Sequence, residues 1–233
     1  KVFPSPVSIF NDFRTPAFRP ASTSLSLSPI IYAYDTPEYI KDMGTPDRFH
    51  EAETDMLKGL VYARNLKNKQ KAIFLDRDGT INKLAGFVTN PEQFELIQDA
   101  ADAIKLINKS GYLAIVVTNQ PVIARGDCTF EELQTIHDKM ETELGKKGAF
   151  VDAIYVCPHH TDKGFEGERP EYKCDCNCRK PKKGLFLQAS KDFNIANIHF
   201  ERFECQNSSL AKLFFYRAIG VPAALEYIPA WAN

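Results

Sequence analysis

The sequence predicts an α/β fold, a doubly wound parallel sheet with a metal-bound loop. Three observations predict it. Short apolar runs that read as buried strands alternate with amphipathic helical patterns. The intervening helices are long enough to act as crossovers between parallel strands. Polar, chemistry-bearing residues directly follow the strands, where ligands bind in open α/β sheets.

Taken in order, Ala72-Ile73-Phe74-Leu75 is a short apolar run and reads as the first buried strand. Ala100, Ala103, Ile104 and Ile107 recur at helical spacing, and Gly111 closes that segment. Tyr112 to Val117 is a second buried strand. Thr129 with Glu132 forms a capping box that opens a helix with Leu133, Ile136, Met140 and Leu144 inward. Ala153 to Val156 reads as a third strand and Leu185 to Phe193 as a third helix.

The chain has 233 residues, enough for one ordinary domain with extensions, here placed at 70–195. Residues 1–29 are rich in Pro, Ser, Thr and Phe without periodicity and are expected to be an unstructured or misread tail. Residues 30–69 form a second piece. Pro29 to Tyr34 is a candidate strand, and Thr45-Pro46-Asp47 opens a helix with Phe49, Ala52 and Met56 on one face. Residues 196–233 are an unplaced tail.

The formal net charge of −1 gives no bulk attraction to nucleic acid or anionic membranes, and no apolar run approaches the roughly 18 residues that span a bilayer. We expect a monomer without nucleic-acid or membrane partners. The start, Lys1-Val2-Phe3-Pro4, shows no signal peptide. Cysteine usage points to the cytoplasm, because Cys-x-His followed by Cys-x-Cys suits a metal site better than disulfides.

The first strand runs into Asp76-Arg77-Asp78-Gly79-Thr80-Ile81-Asn82. Phosphoryl transfer to a carboxylate needs one Asp as nucleophile and a second acid to protonate the leaving oxygen and then activate water. Asp76 suits the first role and Asp78 the second. An Asp-Gly turn is the plainer reading, but the buried strand before it and Thr80 after it favour a site. Thr118-Asn119-Gln120 ends the next strand, where a hydroxyl and a backbone N–H can hold phosphoryl oxygens. Arg179-Lys180-Pro181 supplies fixed positive charge after the cysteine cluster and before a helix. Without that position, Arg179 to Lys183 would read as a solvated basic run.

Cys157-Pro158-His159-His160 and Cys174-Asp175-Cys176-Asn177-Cys178 match a closed tetrahedral Zn²⁺ site. One of the three later cysteines is surplus. We take Cys157, His159, Cys176 and Cys178 as ligands and Cys174 as the spare. The zinc would fix the 157–178 loop over the site, together with Arg179 and Lys180.

In combination, Asp76 to Asn82, Thr118 to Gln120, Cys157 to His160 and Cys178 to Pro181 resemble the haloacid-dehalogenase (HAD) superfamily. More narrowly they resemble the D,D-heptose 1,7-bisphosphate and histidinol-phosphate phosphatase group, over about 125 residues in the right order. The resemblance implies a Rossmann-like sheet with minimal caps. It implies Mg²⁺ bound by the Asp76 carboxylate and the Asp78 backbone carbonyl, and a phosphorylated sugar as substrate. It places Leu84, Ala85, Gly86 and Phe87 near that substrate, with Arg179 and Lys180. Residues 30–66 resemble the end of sugar nucleotidyltransferases, with Met43-Gly44-Thr45-Pro46 and Phe49, although a linker or remnant is the plainer reading. That neighbour favours the heptose substrate and hydrolysis at C7 over histidinol phosphate. An impaired, zinc-stabilised domain that binds a phosphorylated ligand or partner is the competing expectation.

One family feature is missing. A Gly-Asp motif that completes the Mg²⁺ site is expected soon after the helix near Gly184, but Ile195 is followed by Ala196 to Cys205 without it. Ile198 to Phe200 is the candidate strand, and Glu201 or Glu204 the candidate substitute. The family pattern stops abruptly at 1–29 and 196–233, as a frame change, a misplaced gene model or a fragment would produce.

Overall fold

The computed structural model describes residues 36–84, 86–196, 198–203 and 215–218. The expected tail at 1–29, the candidate strand at Ile30 to Tyr34, Ala85, Glu204 and most of the final segment lie outside the described residues. The chain divides into Lys1–Pro37 and Glu38–Asn233. The second unit holds every element described below.

Helix α1, Pro46–Leu57, starts where Thr45 and Pro46 predict. The Thr45 hydroxyl accepts from the Arg48 N–H at 3.4 Å, and Pro46 costs nothing at a position whose N–H has no helical partner. No residue of α1 is buried, and Phe49 and Met56 are 52% and 64% exposed, so its apolar stripe lies outside the core. After the short helix α2, Leu60–Ala63, the chain joins the core. Arg64 is buried and its Nη1 lies 2.6 Å from Asp152 Oδ1. Its Nη2 donates to the Tyr112 carbonyl at 3.3 Å, while Asp152 Oδ2 accepts from the Ala114 N–H at 2.7 Å. The pair is buried and hydrogen-bonded on both sides, and losing one partner of such a pair costs about 3–5 kcal/mol. It fastens 38–69 to the amino ends of two strands, opposite the site.

Strand β1 is Ala72–Leu75, and all four residues are buried. Helix α3, Ala100–Lys109, leads to β2, Leu113–Asn119, which runs two residues further than the apolar pattern alone indicates. The short helix α4, Val122–Arg125, follows directly. Helix α5, Phe130–Lys146, carries the expected capping box on Thr129 and Glu132, and buries Leu133, Ile136, Met140 and Leu144. Strand β3, Ala153–Cys157, ends on the first cysteine of the cluster, and helix α6 is Gly184–Asp192. The core is aliphatic, with Ile104, Ala114, Val116, Ile123 and Ile136 at its centre.

The sheet order is β3-β2-β1-β5-β4, with β4 at Ile198–Phe203 and β5 at Phe215–Ala218. Strands β1, β2 and β3 are parallel, as the alternating pattern requires. At the other edge the sheet is mixed. There β5 pairs antiparallel with β1, and β4 antiparallel with β5. Antiparallel neighbours need no helical crossover, so the helix–strand rhythm does not report them. The expected strand at 198–200 exists but lies one position further from β1. It still runs parallel to β1, and Phe203 is level with Phe215, toward the end that carries Asp76.

Candidate active site

Asp76 follows the last residue of β1 and inherits its rigidity. Its Oδ1 accepts from the Arg77 N–H at 2.8 Å, and its Oδ2 lies 2.7 Å from Lys180 Nζ. The chain then turns. The Arg77 carbonyl accepts from the N–H groups of Thr80, Ile81 and Asn82 at 3.3, 2.8 and 3.2 Å. Gly79 stands at φ +76°, a left-handed conformation that glycine adopts without a Cβ penalty.

The turn brings Asp78 back over its own neighbour. Arg77 is fully buried, with its guanidinium folded onto the Asp78 carboxylate at 3.0–3.1 Å. Asn82 Nδ2 donates to Asp78 Oδ1 at 3.1 Å and Gln120 Nε2 to Asp78 Oδ2 at 2.7 Å. Three donors thus fix one carboxylate, and an acid–base group needs such fixed geometry.

Thr118, Asn119 and Gln120 end β2 beside it. Thr118 is buried, and its hydroxyl accepts from the Gln120 amide at 2.8 Å. Asn119 takes the Lys180 N–H on its Oδ1 at 2.9 Å and gives its Nδ2 to the Lys180 carbonyl at 3.2 Å. These side chains hold the other site residues in place. Lys180 Nζ also donates to the Val117 carbonyl at 2.7 Å. Burial lowers the Lys180 pKa, and the Asp76 carboxylate opposes that shift. A desolvated ammonium beside a carboxylate is suited to neutralising charge that develops on a phosphoryl group.

Arg179 donates from Nη1 to the His159 carbonyl at 3.0 Å. Leu84 and Phe87 are 74% and 51% exposed, and Gly86 has φ +84° between them. The Phe87 ring lies under the Arg125 guanidinium, whose carbon is 4.5 Å from the ring centroid.

Cys157, His159, Cys176 and Cys178 converge, with all four ligand atoms within 4.8 Å of one another. The Cys178 sulfur is 3.1 Å from those of Cys157 and Cys176 and 3.1 Å from His159 Nδ1. Cys157 and Cys176 are 3.6 Å apart. A tetrahedral Zn²⁺ with bonds of about 2.3 Å to sulfur sets its sulfurs about 3.8 Å apart, so cluster size and donor chemistry fit that ion. Cys174 is exposed and outside the group. Hydrogen bonding from the Cys178 thiol lowers the Cys157 pKa against burial, while Cys178 itself is pushed up. The knot is tight on the helix side. The Gly184 N–H donates to the Asn177 carbonyl at 2.8 Å, and a Cβ at Gly184 would lie 2.3 Å from that oxygen. Only glycine lets α6 begin so close to the cluster, and this closeness sets Arg179 and Lys180 between the cluster and the end of β1.

Sequence reasoning assigned no role to Arg77, Asn82, Arg125 or His137. His137, from α5, is buried with Nε2 3.4 Å from Arg77 Nη1, and burial followed by the Arg77 charge lowers its pKa to about 3. It stays neutral and supports the guanidinium from behind. A lone His on an apolar helix face carries no signal of this until its partner is known. The shift has a sign for stability. The unfolded chain takes up this proton below the ordinary value of 6.5 while the folded chain does not. Stability therefore falls with pH from about 6.5 downward, by up to ~1.4 kcal/mol per pH unit. Urea unfolding at pH 7.5 and 5.5 should show a smaller loss for His137→Gln than for the parent, by about 1 kcal/mol. An equal loss would contradict a neutral buried His137.

No family model matches the chain. The D-glycero-beta-D-manno-heptose-1,7-bisphosphate 7-phosphatase of Pasteurella multocida is 45% identical over 126 residues, 54% of this chain and 66% of that protein. The enzyme of the same name from Haemophilus ducreyi is 43% identical over 127 residues, 67% of its length. Among solved structures, a Mesorhizobium loti protein described as a HAD-like phosphatase aligns with a TM-score of 0.50 at 31% identity, covering 55% of this chain and 59% of that one. The chain spans about two thirds of the length of the curated relatives it matches. On that identity, and with a carboxylate-bearing strand end, a lysine and a Cys/His cluster assembled in the order the motifs imply, the chain belongs to the HAD-type heptose-bisphosphate phosphatase family.

Proposed function

We propose that the chain hydrolyses the C7 phosphate ester of D-glycero-D-manno-heptose 1,7-bisphosphate through a phosphoryl group carried on Asp76. The observation that carries this reading is the 2.7 Å contact of Lys180 Nζ with Asp76 Oδ2 at the end of a buried strand. The relatives' shared activity supports the substrate.

In the first step an Asp76 oxygen attacks phosphorus and the bond from phosphorus to the C7 oxygen breaks. Asp78 delivers its proton to that oxygen. In the second, Asp78 takes a proton from water as the water oxygen attacks the acyl phosphate, which releases inorganic phosphate and restores Asp76. Arg77, Asn82 and Gln120 hold Asp78 in place for both steps. Lys180 and Arg179 neutralise the phosphoryl oxygens.

The oxygen donors at the turn suit Mg²⁺. Asp76 is a carboxylate, and no hydrogen bond to the Asp78 carbonyl occurs among the described residues. Those two groups would hold the ion, which supplies charge neutralisation on the phosphate when bound. The Cys/His cluster would hold Zn²⁺ as a structural ion without chemistry of its own.

One observation favours a second reading, a domain that binds the phosphorylated sugar without turnover. The strand beside β1 is antiparallel, so the sheet there departs from the parallel neighbour expected to carry a third acidic ligand. One experiment separates the two. The chain is incubated with heptose 1,7-bisphosphate across a Mg²⁺ titration, with released phosphate assayed and the product located by phosphorus NMR. We expect heptose 1-phosphate and a half-maximal Mg²⁺ concentration of about 1 mM or above, as a site short of anionic ligands requires. Binding without any released phosphate would establish the second reading.

A further inference from the structure

Arg125 ends α4, five residues beyond Gln120, and stands outside everything assigned above. Its guanidinium lies between two rings, 4.5 Å from the Phe87 centroid and 4.4 Å from that of Phe165. Each of these two cation–ring contacts helps to hold it. Its Nε is buried without a hydrogen-bond partner, and no carboxylate pairs with it among the described residues. The neighbouring cation differs. Lys173 Nζ also lies over Phe165, at 5.0 Å, but Glu168 neutralises it at 2.9 Å. A clamped guanidinium without a carboxylate is expensive to keep unless an anion completes it.

The surroundings tie Arg125 to the site. Phe87 belongs to the 84–87 segment expected beside the substrate. Phe165 belongs to the loop between the two halves of the Cys/His cluster, and its ring lies 6.4 Å from that of His160. The carbonyl of the preceding residue, His159, takes the Arg179 guanidinium at 3.0 Å. The Arg169 N–H donates to the Ala124 carbonyl at 2.9 Å, fastening the same loop to α4. A continuous belt thus runs from Arg179, next to Lys180, through His159, His160, Phe165 and Arg125 to Phe87.

We propose that Arg125 is the subsite for a second phosphate, the one that is not hydrolysed, and so selects sugar bisphosphates over sugar monophosphates. This deepens the proposed function and rests on it for the identity of the sugar. A guanidinium held by two rings keeps its planar N–H fork, which pairs two parallel hydrogen bonds with two phosphate oxygens.

The test measures binding rather than turnover. In an Asp76→Asn background, heptose 1,7-bisphosphate and heptose 7-phosphate are titrated calorimetrically into proteins carrying Arg125 or Arg125→Gln. The Arg125 protein should prefer the bisphosphate, and Arg125→Gln should reduce that preference about tenfold or more, because a charge-assisted bidentate contact is lost. A preference that survives Arg125→Gln, or is absent from the start, overturns the proposal. Should Arg125→Gln fail to fold, Arg125→Lys decides through the same ratio, since it keeps the charge and loses the fork: preference must drop. Phosphate release by the parent chain is scored separately. A parent that never releases phosphate, yet binds the bisphosphate through Arg125, sinks the phosphatase reading and leaves this inference standing.

Discussion

Asp76→Asn should lower phosphate release by about four orders of magnitude or more, the scale of losing a nucleophile for which nothing else substitutes. Asn has the same shape and keeps an oxygen for the Arg77 N–H, so the fold should survive. What changes is chemistry. An amide does not form an acyl phosphate, and Lys180 loses the carboxylate that faces it at 2.7 Å. The comparison uses released phosphate under saturating substrate and Mg²⁺, with circular dichroism of both proteins. A variant within tenfold of the parent would exclude Asp76 as nucleophile.

The second large effect should come from the Cys/His cluster. Cys157 and Cys178 are buried, and the residues joined to them place Arg179 and Lys180. Structural Zn²⁺ contributes about 10–16 kcal/mol to zinc-finger peptides that have no other core. Here an aliphatic core remains without the metal, so the loss should be smaller, about 3–5 kcal/mol, or a melting temperature lowered by about 10 °C. Activity should fall further than stability, because the His159 carbonyl holds Arg179 and Lys180 stands two residues after the ligand Cys178. Stripping the metal with a strong chelator, or Cys178→Ser, should produce both effects, read by thermal melts, metal analysis and phosphate release. A metal-stripped protein with an unchanged melt and full turnover would remove zinc from this account.

Part of this was legible in the sequence because it is local. The Thr129–Glu132 capping box needs only residues three apart, and the structure carries it as read. The strand run Ala72–Leu75 is four apolar residues, and all four are buried. The cysteines announce a metal cluster, but Cys174, Cys176 and Cys178 repeat one spacing, so only the structure separates Cys174 from the other two. What escaped is non-local. That β5 lies antiparallel beside β1 depends on pairing across more than a hundred residues, and apolar periodicity is silent on direction. The full burial of Arg77 contradicts the usual surface preference of arginine and makes sense only once Asp78 and His137 surround it. For Thr118 to Gln120 the linear reading offers a hydroxyl and a backbone N–H to a phosphoryl group and says nothing of what the Asn119 and Gln120 side chains do. Three-dimensional neighbours give their side chains to Lys180 and Asp78.

The claim beneath all of this is that a phosphoryl group passes through Asp76. Acid quenching of a single turnover with heptose 1,7-bisphosphate radiolabelled at the C7 phosphate tests it most directly. Label should be bound to protein, released by hydroxylamine as acyl phosphates are, map to the peptide that contains Asp76 and be absent from Asp76→Asn. Free phosphate appearing without any bound label, or label that persists in Asp76→Asn, would contradict it.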